Sequence, residues 1–123
     1  MPPKTPALTP LELEIMKVIW DKGQVTVRDV YAVLKERRPV AYTTVMTMMG
    51  VLATKGHLKR QRDERAYSYR ATRPAGATIK SMVADFVDRV FDGAAQPLLL
   101  QLVKDRRLTK KELEDLARQI EEA

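Results

Sequence analysis

A chain of 123 residues, 45% hydrophobic and 31% charged, has the balance of a globular protein in one compact domain or two small ones. It has no cysteine and a single histidine, which excludes disulfides, thiolate metal sites and cysteine nucleophiles and leaves little to hold a transition metal, so no metal or cofactor is expected. The net charge of +6 is unevenly spread: residues 1–73 hold 14 Lys+Arg against 7 Asp+Glu, residues 74–123 hold 8 against 9, and a basic excess at one end points to a polyanionic partner there. No apolar run reaches the ~18 residues of a membrane span, so no membrane insertion is expected and the cytoplasm is the expected location.

The opening "MPPKTPALTP" has no apolar core, and residues 1–7 read as a disordered lead rather than a signal peptide. Helix starts then follow one grammar. In "LTPLEL", Thr9 is an N-cap, Pro10 occupies the first helical position, Glu12 closes a capping box, and Leu8 and Leu13 form a hydrophobic staple. Thr26 with Asp29, and Thr109 with Glu112, repeat the pattern. A first helix is predicted over residues 10–21, with Leu11, Ile15, Val18 and Ile19 inward. A second is predicted over 27–37, with Val30, Val33 and Leu34 buried, stopping before Pro39. A third is predicted over 42–54, with Val45, Met48, Met49 and Leu52 at helical spacing, ended by Lys55-Gly56.

In "HLKRQRDERAYSYRA", Leu58, Arg60 and Arg62 alternate with Lys59 and Gln61 before the polar turn "DERA", and Tyr67 and Tyr69 flank Ser68 after it, which predicts a β-hairpin. Three helices and a hairpin make a winged helix-turn-helix over residues 8–73. Beyond "RPAG" three amphipathic helices are predicted, over 75–91, 96–104 and 110–122, with Gly93 as a C-cap. The fold class is therefore mainly α with a small β-hairpin: an N-terminal winged helix-turn-helix followed by a three-helix C-terminal dimerisation region, residues 74–123. So short a segment rarely buries enough apolar surface alone. Pairing two copies would solve this, and Phe86, Val90, Phe91, Leu98, Leu99, Leu102, Leu113, Leu116 and Ile120 are the candidate homodimer interface or local core.

Catalytic residues are not expected. His57 stands beside Gly56 without an obvious partner and reads as a solvated or groove-edge residue; Glu112 and Asp115 read as a solvated helix face. What remains is the third helix and its hairpin. The candidate base-reading residues are Tyr42, Thr43, Thr44, Met46, Thr47 and Val51, on a face almost without charge. Threonine suits the major groove because its hydroxyl can donate or accept and its methyl can touch thymine. Residues 55–73 then hold seven Lys+Arg and two acids, and Arg28, Lys55, Lys59, Arg60, Arg62 and Arg65 are the candidate phosphate contacts. The competing reading is a protein-interaction adaptor, in which the Thr/Met face docks another protein and DNA is not read specifically.

The motifs "LTPLELEIMKVIW", "TVRDVYAVL", "AYTTVMT", Lys55-Gly56 and "RDERAYSYRA" resemble those of the BlaI/MecI family of penicillinase repressors, and the likeness continues more loosely through "DRVFDG" and "LTKKELEDL". The resemblance implies a dimeric winged-helix repressor of palindromic operators in double-stranded DNA, in front of genes such as those for β-lactamases and antibiotic resistance. Many relatives carry arginine in the slot held here by Val51, which implies a different half-site. β-Lactam-responsive members are relieved by a membrane sensor-protease that cuts an Asn-Phe pair, and this pair aligns with Gln101-Leu102, the candidate cleavage bond. The copper-responsive branch uses a Cys-x-Cys pair, which is absent here.

Overall fold

The computed structural model describes residues 7–122, so the expected lead at 1–7 lies almost wholly outside the described residues. The element order is α1 (Pro10–Lys22), α2 (Val27–Leu34), α3 (Tyr42–Thr54), β1 (Leu58–Arg62), β2 (Tyr67–Ala71), α4 (Ala75–Phe91), α5 (Ala95–Lys104) and α6 (Lys110–Glu122). The architecture is mainly helical with one antiparallel hairpin, as expected.

The caps that start the helices form as the threonine spacing predicts. The Thr9 side chain accepts from the Glu12 amide while Glu12 accepts from the Thr9 amide, and Thr26 with Asp29 and Thr109 with Glu112 do the same. Each box satisfies amides that the helix leaves without partners. α2 stops at Leu34, short of the expected residue 37. The amides of Arg37 and Arg38 both turn back to the Leu34 carbonyl, a tighter closure that prepares the chain for Pro39. α3 ends in a Schellman arrangement: His57 N–H donates to the Leu52 carbonyl and Gly56 N–H to that of Ala53, with Gly56 at φ +90° where a side chain would be strained.

The hairpin pairs Leu58 with Ala71, Arg60 with Tyr69 and Arg62 with Tyr67, so these six share one face; Lys59–Arg70 and Gln61–Ser68 share the other. A third backbone segment joins it. Val25 and Tyr69 exchange both backbone hydrogen bonds, at 2.9 and 2.7 Å, tying the α1–α2 connection to the hairpin. Gly23, at φ +90°, makes the turn that brings Val25 there.

The chain divides into two compact units, the first ending at Ile79 and the second beginning at Lys80, so the first turns of α4 belong to the first unit. There the Trp20 indole donates to the Arg73 carbonyl at 3.1 Å and Thr78 is buried. The core of the first unit is continuous: Ile15 and Ile19 of α1, Val30 and Leu34 of α2, Val45, Met49 and Leu52 of α3, closed by Val25, Leu58 and Tyr69. Val33 and Met48, expected inside, are partly buried at its margin. His57 is a correction to the solvated position expected of it. The left-handed turn at Gly56 swings it inward and leaves it only 6% exposed.

In the second unit, α4 has an edge-to-face contact between Phe86 and Phe91, with ring centroids 5.8 Å apart. Among the described residues its helices enclose no buried hydrophobic side chain, and none of them packs broadly on another.

Candidate nucleic-acid interface

α3 is anchored by Val45, Met49 and Leu52 and therefore turns its other side outward. Tyr42, Thr43, Thr44, Met46, Thr47 and Val51 are all exposed on it. Thr43, Thr44 and Thr47, with Met48, border a shallow open depression. The Tyr42 ring packs edge-on against Tyr31 of α2, centroids 5.5 Å apart, which fixes the start of α3 against α2.

The N-termini of the helices differ in a way that matters for anions. α1, α2 and α6 are closed by capping boxes, but α3 and α5 start at the alanines Ala41 and Ala94, and at α3 no side chain bonds the first-turn amides. That end presents unmet N–H donors and the positive pole of the helix dipole. Arg28, in the first turn of α2, is exposed.

The hairpin orders its basic residues by register. Arg60 and Arg62 stand on the same face as Tyr67, their guanidinium carbons 4.3 and 5.8 Å from its ring centroid, so the ring holds both side chains in place. Lys59 faces Arg70 directly across the strands on the opposite side, and both are exposed. Like charges so placed repel one another and cost stability. Arg70 is a functional candidate that sequence reasoning missed; its pairing with Lys59 follows from the hairpin register. Arg65 lies in the turn between the strands beside Asp63 and Glu64, so the cationic surface runs along the strands and the tip is mixed.

Lys55 is held differently from the other candidates. Its ammonium donates to both carboxylate oxygens of Glu12, at 2.8 and 2.9 Å, and Glu12 is 1% exposed. Burial alone would raise the Glu12 carboxyl, but hydrogen bonds from Lys55 and from the Thr9 amide and hydroxyl outweigh it and hold the group below its ordinary value. The ion pair joins α1 to the end of α3 and leaves the Lys55 charge largely compensated.

The candidate interface residues of the second unit are all on α4–α6. Phe86, Val90, Leu99, Leu116 and Ile120 are exposed, Ile120 at 76%, while Phe91, Leu98, Leu102 and Leu113 are half-buried. Gln101 and Leu102 sit inside α5, where the Gln101 amide donates to Asp105. Glu112 caps α6 and Asp115 pairs with Arg118; no group of residues able to hold a metal occurs among the described residues. None of the described helices is long and apolar enough to cross a membrane.

The profile of the penicillinase repressor family matches residues 8–122. The penicillinase repressor of Bacillus licheniformis is 26% identical over 119 residues, covering 97% of this chain and 93% of that protein. The transcriptional regulator BlaI of Mycobacterium tuberculosis is 33% identical over 103 residues, 82% of this chain and 75% of the relative. An uncharacterized 16.5 kDa protein of Latilactobacillus sakei is 36% identical over 74 residues, and the match spans 60% of this chain but only 51% of that relative's length. Among solved structures, the monomeric form of Bacillus licheniformis BlaI in complex with the blaP half-operator matches with a TM-score of 0.52 at 29% identity, over 59% of this chain and 89% of that one.

Proposed function

The chain belongs to the penicillinase repressor family, and from that premise we propose that it is a dimeric, sequence-specific DNA-binding repressor acting on an inverted-repeat operator. One observation carries the reading. A neutral, outward-facing helix with an uncapped N-terminus lies beside a hairpin whose strands expose Lys59, Arg60, Arg62 and Arg70. In this arrangement α3 enters the major groove and the hairpin, with Arg28, grips the flanking phosphates. Lys55 supports α3 through Glu12 instead of reaching for the backbone.

The second unit supplies the twofold. Its apolar faces are left uncovered by its own helices, and a second copy presents the same faces in return. Two half-site contacts then act as one, and whatever separates the copies lifts repression. Cleavage by a membrane sensor-protease at Gln101–Leu102 would do so. Because that bond lies inside α5, cutting it requires the helix to open locally.

Selection of bound sequences from a random duplex pool tests the proposal. The expected product is an inverted repeat whose half-sites are a helical turn, or a multiple of one, apart. A pool that yields no preferred duplex while the protein remains folded would favour the protein-docking reading of α3.

A further inference from the structure

From Tyr42 to Thr54, α3 contains no lysine, arginine, histidine, asparagine, glutamine, aspartate or glutamate. Every side chain able to make a bidentate hydrogen bond to a base edge is thereby missing from the element that faces the groove. Guanine is most often read by arginine or lysine on O6 and N7, and adenine by asparagine or glutamine on N6 and N7. The exposed face offers methyl and thioether surface from Thr43, Thr44, Met46, Thr47 and Val51, with single hydroxyls on the threonines and on Tyr42 as its polar side-chain groups. Thr54 joins them by its methyl, because its hydroxyl donates to the Gly50 carbonyl at 3.2 Å.

Gly50 adds a second, independent observation. It lies mid-helix, where glycine is disfavoured relative to alanine, and a Cβ built there meets nothing within 4 Å. Neither internal packing nor a left-handed backbone accounts for it. Gly50 falls on the face of Thr43, Thr47 and Thr54, at helical spacings of seven, three and four residues. A missing side chain there lets the helix backbone come closer to whatever occupies the groove.

We propose that α3 reads its half-site chiefly through the C5-methyl groups of thymine, seated against a surface that Gly50 keeps clear. The inference rests on the DNA-binding reading above and deepens it. The contact is apolar burial in the major groove, a position where thymine alone among the four bases carries a methyl.

The test uses the full chain and the duplex recovered from the random pool. Each thymidine is replaced singly by deoxyuridine, which removes only the methyl, and each guanosine by its 7-deaza analogue, which removes the N7 acceptor. At one or more thymines in each half-site uracil should weaken binding about fourfold, the worth of one buried carbon, while the deaza replacements change it less than twofold. Gly50→Ala should raise the melting temperature by about 4 °C and yet weaken the selected duplex about tenfold, with binding to random duplex little changed. Indifference to uracil at every position, larger losses with 7-deazaguanine, or a Gly50→Ala variant that binds as well as the native chain would overturn the inference and leave the repressor reading standing. Failure to recover any preferred duplex would remove the repressor reading, and this inference with it.

Discussion

The two units of this chain handle apolar residues in opposite ways. Among its described residues the first encloses thirteen buried hydrophobic side chains, from Ile15 to Tyr69, drawn from three helices, the hairpin and the α1–α2 connection. Among the described residues of the second, none is buried, and large side chains such as Leu100 and Ile120 stand 54% and 76% exposed. On the proposed reading, the contrast is between a self-sufficient fold and one that a second copy completes. Long-range pairing accounts for the first: Val25 with Tyr69, Glu12 with Lys55 and Trp20 with Arg73 each close a large loop. Among the described residues of the second unit the backbone hydrogen bonds beyond the helices are local caps and turns, and its apolar faces are left uncovered by its own helices.

Truncation gives the largest expected effect. A fragment ending at Ile79 keeps Trp20, Arg73 and Thr78 with their contacts, and it should fold, sediment as a monomer and bind the selected inverted repeat about 10³-fold more weakly than the full chain. A fragment that sediments as a dimer would mean that residues 80–123 do not supply the contact between copies. Next come substitutions within the first core. Ile19→Ala should cost about 3 kcal/mol in denaturant unfolding, whereas Ile120→Ala should change the unfolding of a monomer by about 0.5 kcal/mol or less while weakening self-association in sedimentation.

The Glu12–Lys55 pair sharpens the same point, because it belongs to the self-sufficient unit. Lys55→Met leaves a buried carboxylate without its cation and should destabilise by about 3 kcal/mol. The Glu12 carboxyl is held below its ordinary value in the folded state, so the stability it contributes is fully present above its unfolded pKa and is lost as pH falls through the folded one. Urea midpoints followed downward from neutral pH should fall below about pH 4.5, and Glu12→Gln should flatten that decline.

Smaller effects are expected at the DNA surface. Arg62→Ala should weaken binding to every duplex by about 1 kcal/mol and reduce the slope of log K against log salt by about one; an unchanged slope would remove the hairpin from the phosphate grip. Arg70→Ala should do the same. Thr47→Ala should narrow the gap between selected and random duplex by about 1 kcal/mol and leave the salt slope alone.

Much of the fold was legible because its signals are local. Thr9, Thr26 and Thr109 announce their helices through residues three positions on, and alternation around "DERA" announces the hairpin. What stayed hidden depends on residues far apart in the chain. Lys55 meets Glu12 across 43 positions, and nothing near either one marks the pairing. His57 is buried by the sign of one glycine φ angle, and Val25 joins the sheet through a single bridge too short to alternate. The outer face of α3 could be named from helical periodicity because Val45, Met49 and Leu52 fix which side is inner. Lys59 and Arg70 could not be paired until the turn length set the register.

The most direct measurement is the mass of the complexes formed on the selected inverted repeat, by sedimentation or native mass spectrometry, for the full chain and for the fragment ending at Ile79. Two full-length copies should load together, with little singly bound species, while the fragment should add one copy at a time at much higher concentration. Stepwise loading of the full chain at the affinity of the fragment would contradict the account.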